Sequence, residues 1–210
     1  EKDERRYSAS NFIIATGSSS INIPAISIDE KNIVSSTGAL SLEKIPSTML
    51  VIGGGYIGLE MGSVWSRLGA KVTVVEALDR IVPTMDGEIA AEFMKSLQKQ
   101  GMEFKLSHKV ISAKSSSKNI EVTMEAIKDK KQIKDKFDIV LMAIGRKPNT
   151  ENLNLEKIGI KLDDQKAIVI DKKFKSSVDN IYAIGDVVPG PMLAHKAEEE
   201  GIACVEIIKG

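Results

Sequence analysis

The run Met49-Leu-Val-Ile-Gly-Gly-Gly-Tyr-Ile-Gly58 decides the expected fold, because an apolar segment passes directly into a glycine-rich turn. Residues 49–53 are apolar at consecutive positions, which is typical of a strand covered on both faces of a parallel sheet. Residues 71–76 are predicted to form a second strand. Between them, apolar side chains recur with helical spacing before Gly69, at Ile57, Met61, Val64, Trp65 and Leu68. Strand, helix and strand within about 30 residues predict a right-handed βαβ unit.

Three glycines of this turn, at positions 53, 55 and 58, fit the pattern G-x-G-x-x-G. Gly53 permits the tight turn, Gly55 lets the backbone approach a pyrophosphate, and Gly58 lets helix and strand pack closely. Free N–H groups at the helix start attract the anion. Glu76 ends the next strand 18 residues after Gly58, near the spacing of a carboxylate that binds an adenosine ribose. The pattern predicts a dinucleotide-binding site. The alternatives without a ligand are that the glycines form a flexible loop and that Glu76 is a solvated carboxylate at a strand end.

The charge of Glu76 favours NAD over NADP. A ribose 2′-phosphate about 4 Å from an ionised carboxylate would meet roughly 4 kcal/mol of repulsion per charge at an effective dielectric of about 20. No basic cluster follows to reverse this effect, since Arg80 stands alone after Asp79. We therefore expect NAD(H) as the ligand.

The segments around this unit complete an α/β pattern. Residues 11–16 read as a short strand, and residues 87–100 as a helix with Asp86 as its N-cap. Its expected buried face consists of Ile89, Phe93 and Leu97. A strand at 102–106, a β-meander over residues 109–135 and a buried strand at 138–144 follow.

The last third of the sequence predicts a strand at 181–184, a turn at Gly185-Asp186 and a closing helix from about Leu193. Small and apolar residues give this helix an expected buried stripe of Ala197, Gly201, Cys204 and Ile208. Small residues there imply close approach to the surface beneath.

Composition excludes several classes of protein. The 210 residues carry 29 basic and 29 acidic side chains, so no net charge is available to hold nucleic acid or an acidic membrane. No apolar run approaches the ~20 residues of a membrane span. The single cysteine, Cys204, excludes an intrachain disulfide and a Cys-rich metal site. The lack of an initiator Met and a helical pattern up to Gly210 lead us to expect a fragment of a longer protein.

Four stretches closely resemble the dihydrolipoamide dehydrogenases, flavoprotein members of the FAD- and NAD-dependent pyridine nucleotide-disulfide oxidoreductases. They are Asn11-Phe-Ile-Ile-Ala-Thr-Gly-Ser18, Val51-Ile-Gly-Gly-Gly-Tyr-Ile-Gly-Leu-Glu-Met-Gly-Ser-Val-Trp65, Ile144-Gly-Arg-Lys-Pro-Asn-Thr150 and Ile181-Tyr-Ala-Ile-Gly-Asp-Val-Val-Pro-Gly-Pro-Met-Leu-Ala-His-Lys-Ala197. The resemblance covers essentially the whole chain. It implies an α/β fold in which a Rossmann-like NAD-binding domain with a β-meander (40–146) is flanked by partial FAD-binding segments (1–39 and 147–210).

The resemblance also assigns cofactor-binding positions. Those matching NAD contacts are Gly53, Gly54, Gly55, Tyr56, Ile57, Gly58, Leu59, Glu60, Glu76, Val110 and Gly145. Those matching FAD contacts are Thr16, Gly17, Ser18, Asp186, Met192, Leu193, Ala194 and His195. From the residues alone, Glu60 is merely a first-turn helix acid. Tyr56 is expected either to cover the nicotinamide site when NAD is absent or simply to lie exposed.

The family pattern is incomplete within these residues. Members carry an FAD-binding βαβ unit and a redox C-x4-C pair before the segment matching residue 1, and a His-Glu pair after that matching residue 210. Without these groups we expect no catalytic residue, no metal and no retained FAD in this chain. His195 matches a flavin-side position rather than a base, His108 is expected to be a solvated surface residue, and Cys204 a small core residue.

For the parent enzyme the resemblance implies oxidation of dihydrolipoamide through a disulfide and FAD to reduce NAD. Its partner would be a dihydrolipoamide-bearing protein of a 2-oxo acid dehydrogenase or glycine cleavage complex, in bacterial cytoplasm or the mitochondrial matrix. The parent is expected to be a homodimer and this chain a monomer. Alternatives are another flavoprotein disulfide reductase or NADH oxidase, a non-catalytic nucleotide-binding module, or a methyltransferase using Glu76.

Overall fold

A computed structural model describes residues 5–116 and 118–210. The chain divides into two compact units, which we call the sheet unit (Ser20–Gly145) and the flanking unit (the described residues up to Ser19 together with Arg146–Gly210). Residues 33–40, which reach the predicted boundary at residues 39 and 40, pack with the sheet unit. The predicted assignment of segments to FAD and NAD domains stays a prediction.

The strands and helices follow the predicted order. The strands are β1 (Phe12–Ile14), β2 (Ser18–Ser20), β3 (Ile33–Val34), β4 (Thr48–Ile52), β5 (Lys71–Val75), β6 (Glu103–Lys105), β7 (His108–Ser115), β8 (Ile120–Ala126), β9 (Gln132–Phe137), β10 (Ile139–Met142), β11 (Arg146–Pro148) and β12 (Ile181–Ala183). The α-helices are α1 (Ser36–Leu40), α2 (Tyr56–Leu68), α3 (Gly87–Lys99) and α4 (Ala194–Lys209).

The sheet unit is built on a parallel sheet with strand order β3-β10-β4-β5-β6. Its central strand β4 pairs with β10 on one side and with β5 on the other, as the unbroken apolar run predicts. Met49 and Val51 belong to the core cluster that includes the helical residues Leu59 and Trp65. Leu50 and Ile52 belong to a second cluster, shared with the β-meander. Consecutive residues of β4 are apolar because each face of the sheet is covered.

The β-meander is antiparallel, with strand order β7-β8-β9. This confirms the half-exposed antiparallel strand that the alternating residues of β8 predict. Ile120, Val122 and Met124 are fully buried. Glu121 and Glu125, on the other face of β8, make ion pairs with lysines of the neighbouring strands. One face of the meander therefore closes the second core cluster and the other carries charge.

The predicted apolar stripe of α2 is partly wrong. Val64 and Leu68 are about half exposed, and the buried face consists instead of Gly58, Leu59, Gly62 and Trp65. A Cβ at Gly62 would lie only 3.0 Å from Cε of Met102 and 3.3 Å from Cγ1 of Val72. The helix thus lies so close to the sheet that its inward positions accommodate glycine, which a count of apolar side chains does not register.

Helix α3 begins after Asp86, as predicted, because this side chain accepts hydrogen bonds from the N–H groups of Glu88 and Ile89. Its predicted face is only partly correct. Leu97 is buried, but Ile89 and Phe93 are exposed, and Ala90 faces the core instead. The small Ala90 side chain lets the first turn of the helix approach the core.

In the flanking unit β1 pairs in parallel with β12, and β2 pairs with β11. A 3-10 turn at Gly185–Val187 follows β12, and α4 closes the unit. Cys204 is fully buried, whereas Ala197, Gly201 and Ile208 of the predicted stripe are half-buried. The predicted inward face of α4 is confirmed at Cys204 and only partly at the other three positions.

None of the helices in the described ranges combines the length and apolarity needed to cross a membrane. Within these same ranges, no group of three or more His, Cys, Asp or Glu side chains is placed to hold a metal ion.

Candidate dinucleotide-binding site

The glycine-rich turn between β4 and α2 has no room for side chains at two of its positions. Gly53 has a φ of +109°, and a Cβ there would overlap the carbonyl oxygen of Ala143. A Cβ at Gly58 would lie 2.5 Å from the carbonyl oxygen of Gly53 and 2.9 Å from Cγ1 of Val51. These contacts account for glycine at the tight turn and at the helix–strand contact.

Gly55 has the opposite surroundings. A Cβ at this position would meet no atom within 4 Å. Gly55 is also the N-cap of α2, and no side chain caps this helix start. The first N–H groups of α2 therefore face a region with space for an anion, and the helix dipole favours negative charge there. These features fit a dinucleotide pyrophosphate.

Glu76 follows β5 and is bound to the same turn. Its Oε2 accepts a hydrogen bond from the N–H of Gly54 at 2.6 Å, and its Oε1 accepts one from the N–H of Leu78 at 2.8 Å. A carboxylate oxygen accepts more than one hydrogen bond, so the half-buried side chain retains capacity for ribose hydroxyls. Sequence reasoning predicted the ribose role of Glu76 but missed its bond to the turn.

Three segments with predicted NAD contacts emerge at one edge of the sheet. Gly53 follows β4, Glu76 follows β5, and Gly145 follows β10 by three residues. Because these strands are parallel, their carboxyl ends lie at the same edge, where α/β sheets bind ligands. Gly145 is exposed, and its carbonyl accepts a hydrogen bond from the N–H of Ile21 at 2.9 Å.

The remaining positions that match NAD contacts differ in exposure. Tyr56 is 47% exposed, whereas Leu59 is buried and Ile57 is half-buried. Glu60 is exposed and lies beyond the first turn of α2, so the expectation of a first-turn acid is wrong. Val110 is 5% exposed and packs in the core beneath the meander, next to a register shift between Val110 and Ser112. The side chain of Val110 is thus a core group.

In the flanking unit the structure brings together two of the positions that match FAD contacts. The hydroxyl of Ser18 donates a hydrogen bond to Oδ2 of Asp186 at 2.5 Å, although 168 positions separate the two residues. Arg146 completes the contact: its Nε donates to Oγ of Ser18 at 2.6 Å and its Nη2 to the carbonyl oxygen of Ser18 at 2.7 Å. We call these three residues the Arg146 relay.

Sequence reasoning did not single out Arg146, nor Asn149 three residues later. The hydroxyl of Thr16 donates to the carbonyl oxygen of Asn149 at 2.7 Å, and Nδ2 of Asn149 donates to the carbonyl oxygen of Thr16 at 3.0 Å. The N–H of Asn149 also donates to the carbonyl oxygen of Gly17 at 2.9 Å. Both residues lie in the Ile144–Thr150 stretch, whose polar residues were the available signal.

A second missed pair holds the turn that carries Asp186. Oε2 of Glu200 accepts a hydrogen bond from the N–H of Gly185 at 2.7 Å, and its Oε1 pairs with Nζ of Lys196 at 2.8 Å. Nζ of Lys196 also donates to the carbonyl oxygen of Gly185 at 3.3 Å. Both side chains are less than one-fifth exposed. Among the other positions predicted to contact FAD, Met192 and Leu193 are half-buried, and Ala194 and His195 are exposed.

The chemistry-bearing residues outside these clusters have simpler surroundings. Burial raises the pKa of the Cys204 thiol, which fits a small core residue rather than a nucleophile. His108 is half-buried, and its Nδ1 lies 2.7 Å from the carbonyl oxygen of Leu106, so the expectation of a solvated surface histidine is wrong in part.

A family model described as pyridine nucleotide-disulphide oxidoreductase matches residues 1–201. The chain belongs to this family. Relatives within the pyridine nucleotide-disulphide oxidoreductases include dihydrolipoyl dehydrogenase 1, mitochondrial, of Arabidopsis thaliana, at 56% identity over 95% of this chain and 39% of that protein. Leghemoglobin reductase of Glycine max is 53% identical over 95% of this chain and 38% of that protein. The chain spans about two-fifths of the length of these relatives.

Solved structures agree with this membership. The HOCl-induced flavoprotein disulfide reductase RclA from Escherichia coli has a TM-score of 0.80 and 31% identity over 90% of this chain and 42% of that one. LpdA from Mycobacterium tuberculosis has a TM-score of 0.82 and 27% identity over 94% of this chain and 41% of that one. The predicted α/β fold class and the recognised family are both confirmed.

Proposed function

We propose that this chain is the NAD(H)-binding portion of a dihydrolipoyl dehydrogenase. The observation that carries the proposal is the open, uncapped helix start at Gly55 beside the carboxylate of Glu76. One group suits a pyrophosphate and the other an adenosine ribose. Relatives named dihydrolipoyl dehydrogenase support this proposal. The family resemblance implies the parent reaction, which is oxidation of dihydrolipoamide through a protein disulfide and FAD to reduce NAD.

The residues of this chain bind and orient the ligand in this proposal. The N–H groups of Gly55 and of the first turn of α2 bind the pyrophosphate, and the carboxylate of Glu76 accepts hydrogen bonds from the ribose hydroxyls. Glu60, one helical turn beyond Tyr56, lies exposed and is proposed to face the nicotinamide end. When bound, NAD supplies the hydride acceptor, and the protein supplies binding and orientation.

We propose that the chain alone retains no FAD and turns over no lipoamide. A second dinucleotide needs its own glycine-rich turn between a strand and a helix, and Gly53–Gly58 serves NAD. The FAD-matching residues offer the Ser18 and Asp186 side chains, which already bind each other. An absorbance scan for bound flavin and a lipoamide assay with added FAD test this proposal, which a yellow protein with one flavin per chain would contradict.

The parent enzyme is proposed to serve a dihydrolipoamide-bearing protein of a 2-oxo acid dehydrogenase or glycine cleavage complex. From the family resemblance we also propose that the parent enzyme is located in the mitochondrial matrix or the bacterial cytoplasm. We propose that the parent is a homodimer and that this chain alone is a monomer. Light scattering at micromolar concentration tests the last point. Another flavoprotein disulfide reductase is the second candidate, because the flavoprotein disulfide reductase RclA shares the fold at 31% identity over 90% of this chain.

Calorimetric titration with NADH and NADPH tests the proposed ligand directly. We expect NADH to bind and NADPH to bind much more weakly. Glu76→Ala should weaken the binding free energy of NADH by about 1.5–3 kcal/mol, the scale of a lost hydrogen bond to a charged group. The same substitution should reduce the difference in affinity between NADH and NADPH. Glu103→Ala is the matched control, because this carboxylate lies on the neighbouring strand β6 and pairs with Lys71. Equal affinities for NADH and NADPH in the unmodified chain would refute the assignment.

A further inference from the structure

Val82 has a backbone conformation that its residue type disfavours. Its φ is +37°, whereas β-branched residues rarely adopt positive φ. It also precedes Pro83, and a residue before proline is expected to be extended with negative φ. The side chain is only 8% exposed and belongs to the core cluster beside α2. Such a conformation persists only where its surroundings hold it, and it is found preferentially at functional sites.

The strained residue is bonded directly to the glycine-rich turn. The N–H of Val82 donates to the carbonyl oxygen of Gly54 at 2.8 Å. The N–H of Gly54 is bound in turn by Oε2 of Glu76 at 2.6 Å. The segment after β5 thus holds both backbone polar groups of Gly54. Ile81, 1% exposed, packs on the same residue, since its Cγ2 would lie 3.2 Å from a Cβ at Gly54.

The hydrogen bond from Val82 to the carbonyl oxygen of Gly54 also determines the direction of the N–H of Gly55. The described chain contains no cis peptide bond, and in a trans peptide the C=O and the next N–H point in opposite directions. The carbonyl of Gly54 belongs to the same peptide unit as the N–H of Gly55. When Val82 holds that carbonyl oxygen, the N–H of Gly55 is directed away from Val82. Gly55 is the position at which a Cβ would meet open space.

We propose that Val82 is a positioning residue of the dinucleotide site: its backbone N–H fixes the Gly54–Gly55 peptide so that the N–H of Gly55 is aimed at the ligand pyrophosphate. This inference rests on the proposed NAD(H) function. The N–H of Gly54 already donates its hydrogen bond to Glu76. The N–H groups that remain to bind the phosphate are therefore those of Gly55 and of the first turn of α2. The strain at Val82 accompanies the orientation of this peptide.

Two substitutions separate this role from a purely structural one. Val82→Pro removes the N–H and locks φ near −65°, so it should release the Gly54 carbonyl. Val82→Gly keeps the N–H and adopts positive φ freely, but it removes a buried side chain and should lower the melting temperature. Lys130, also at positive φ (+59°) with its N–H on the carbonyl oxygen of Ala126, offers the matched pair Lys130→Pro and Lys130→Gly in the meander.

Displacement of bound NADH, followed by its fluorescence, gives the affinities of ADP-ribose and adenosine. Val82→Pro should weaken ADP-ribose at least about ten-fold, the scale of a lost hydrogen bond to a charged group, and leave adenosine nearly unchanged. Val82→Gly should keep wild-type affinities despite its lower melting temperature. Lys130→Pro and Lys130→Gly should each change the affinities for ADP-ribose and adenosine by less than about two-fold.

The inference is overturned if Val82→Pro keeps its ADP-ribose affinity, if adenosine weakens as much as ADP-ribose, or if Val82→Gly loses binding together with stability. Should Val82→Pro not fold, an amide-to-ester replacement at Val82 removes the N–H alone and must give the same selective loss. A wild-type chain that binds neither NADH nor ADP-ribose refutes the proposed function as well. Normal binding with no effect at Val82 refutes only the positioning role.

Discussion

The sheet unit and the flanking unit both gather polar groups at a turn, but they assemble them over different distances along the chain. In the sheet unit the groups at Gly53, Gly55, Gly58 and Glu76 lie within a single βαβ segment. In the flanking unit Ser18 meets Arg146 and Asp186 across 128 and 168 positions. The site built from consecutive elements is recognisable from the residue pattern alone. In the flanking unit the resemblance pointed to Ser18 and Asp186, but their contact with each other and with Arg146 is seen only in the folded chain.

The two units also support their sites differently. Every residue of β4 from Met49 to Ile52 is nearly inaccessible, so the glycine-rich turn extends from a rigid strand. In the flanking unit Phe12 and Ile13 of β1 are about two-fifths exposed, and Ile202 and Val205 of α4 are more than half exposed. Side-chain hydrogen bonds hold its turns at Ser18 and at Gly185–Asp186. We therefore expect substitutions to act through packing in the sheet unit and through hydrogen bonding in the flanking unit.

The largest expected effect comes from Gly58→Ala. The added Cβ would lie 2.5 Å from the carbonyl oxygen of Gly53, a backbone atom that cannot move without displacing the turn. We expect a loss of about 2–3 kcal/mol in the free energy of unfolding, on the scale of overpacking in a core, together with loss of NADH binding. Urea unfolding and calorimetry measure the two effects.

Gly55→Ala is the matched control for that substitution. Its Cβ would meet no protein atom within 4 Å, and the backbone of Gly55 lies in the extended region open to alanine. The stability should stay within about 0.5 kcal/mol of the original, while NADH binding weakens because the methyl group occupies the space proposed for the pyrophosphate. A destabilised Gly55→Ala, or one with full NADH affinity, would contradict the arrangement.

The Arg146 relay offers the corresponding experiment in the flanking unit. Arg146→Met removes the donors to Ser18 and leaves the Ser18–Asp186 pair without its cationic partner. We expect a loss of about 1.5–3 kcal/mol in the stability of this unit, measured by hydrogen exchange of residues 11–19 and 181–188. Arg146→Lys keeps the charge but not the planar fork, so it should recover only part of the loss. NADH affinity should not change; a parallel loss would show that the two sites are coupled.

Two features of the structure mark the limit of what the sequence patterns predict. The parallel sheet, the meander and the Asp86 cap were predictable because each depends on local periodicity or on one side chain. The buried face of α2 was not, because Gly58 and Gly62 carry no apolar side chain although they lie closest to the sheet. The positive φ of Val82 was not either, since its residue type and Pro83 both favour an extended backbone.

The Asp86 cap gives a smaller effect within the sheet unit. Asp86→Ala removes the acceptor for the N–H groups of Glu88 and Ile89 and should cost about 1 kcal/mol in the free energy of unfolding. Asp86→Asn keeps a capping oxygen and should cost less. Helix α4 of the flanking unit starts at Leu193 without a side-chain cap, so the equivalent Leu193→Ala should show no loss from capping. Urea unfolding compares the three variants.

The smallest expected effect is a difference in acid sensitivity between two aspartates, one in each unit. Burial acts to raise the pKa of Asp29, but the N–H groups of Lys31, Asn32 and Ile33 outweigh it, so the pKa is lowered. The pKa of Asp171 is lowered by the N–H groups of Lys175 and Lys173. A carboxyl with a lowered folded-state pKa adds stability above its unfolded pKa of about 3.9 and loses it as the pH falls through the folded value.

Asparagine at either position keeps an oxygen that accepts the same N–H groups but does not titrate. Trp65, the single tryptophan, is buried in the sheet unit, so its fluorescence reports the unfolding of that unit. Asp29→Asn should lower stability relative to the unmodified chain at pH 7, and this difference should shrink as the pH falls below about 4. Asp171→Asn should leave the Trp65 transition unchanged at every pH if the units unfold separately. Equal shifts from both substitutions would show instead that the two units unfold as one, and the contrast between their sites would then concern binding alone.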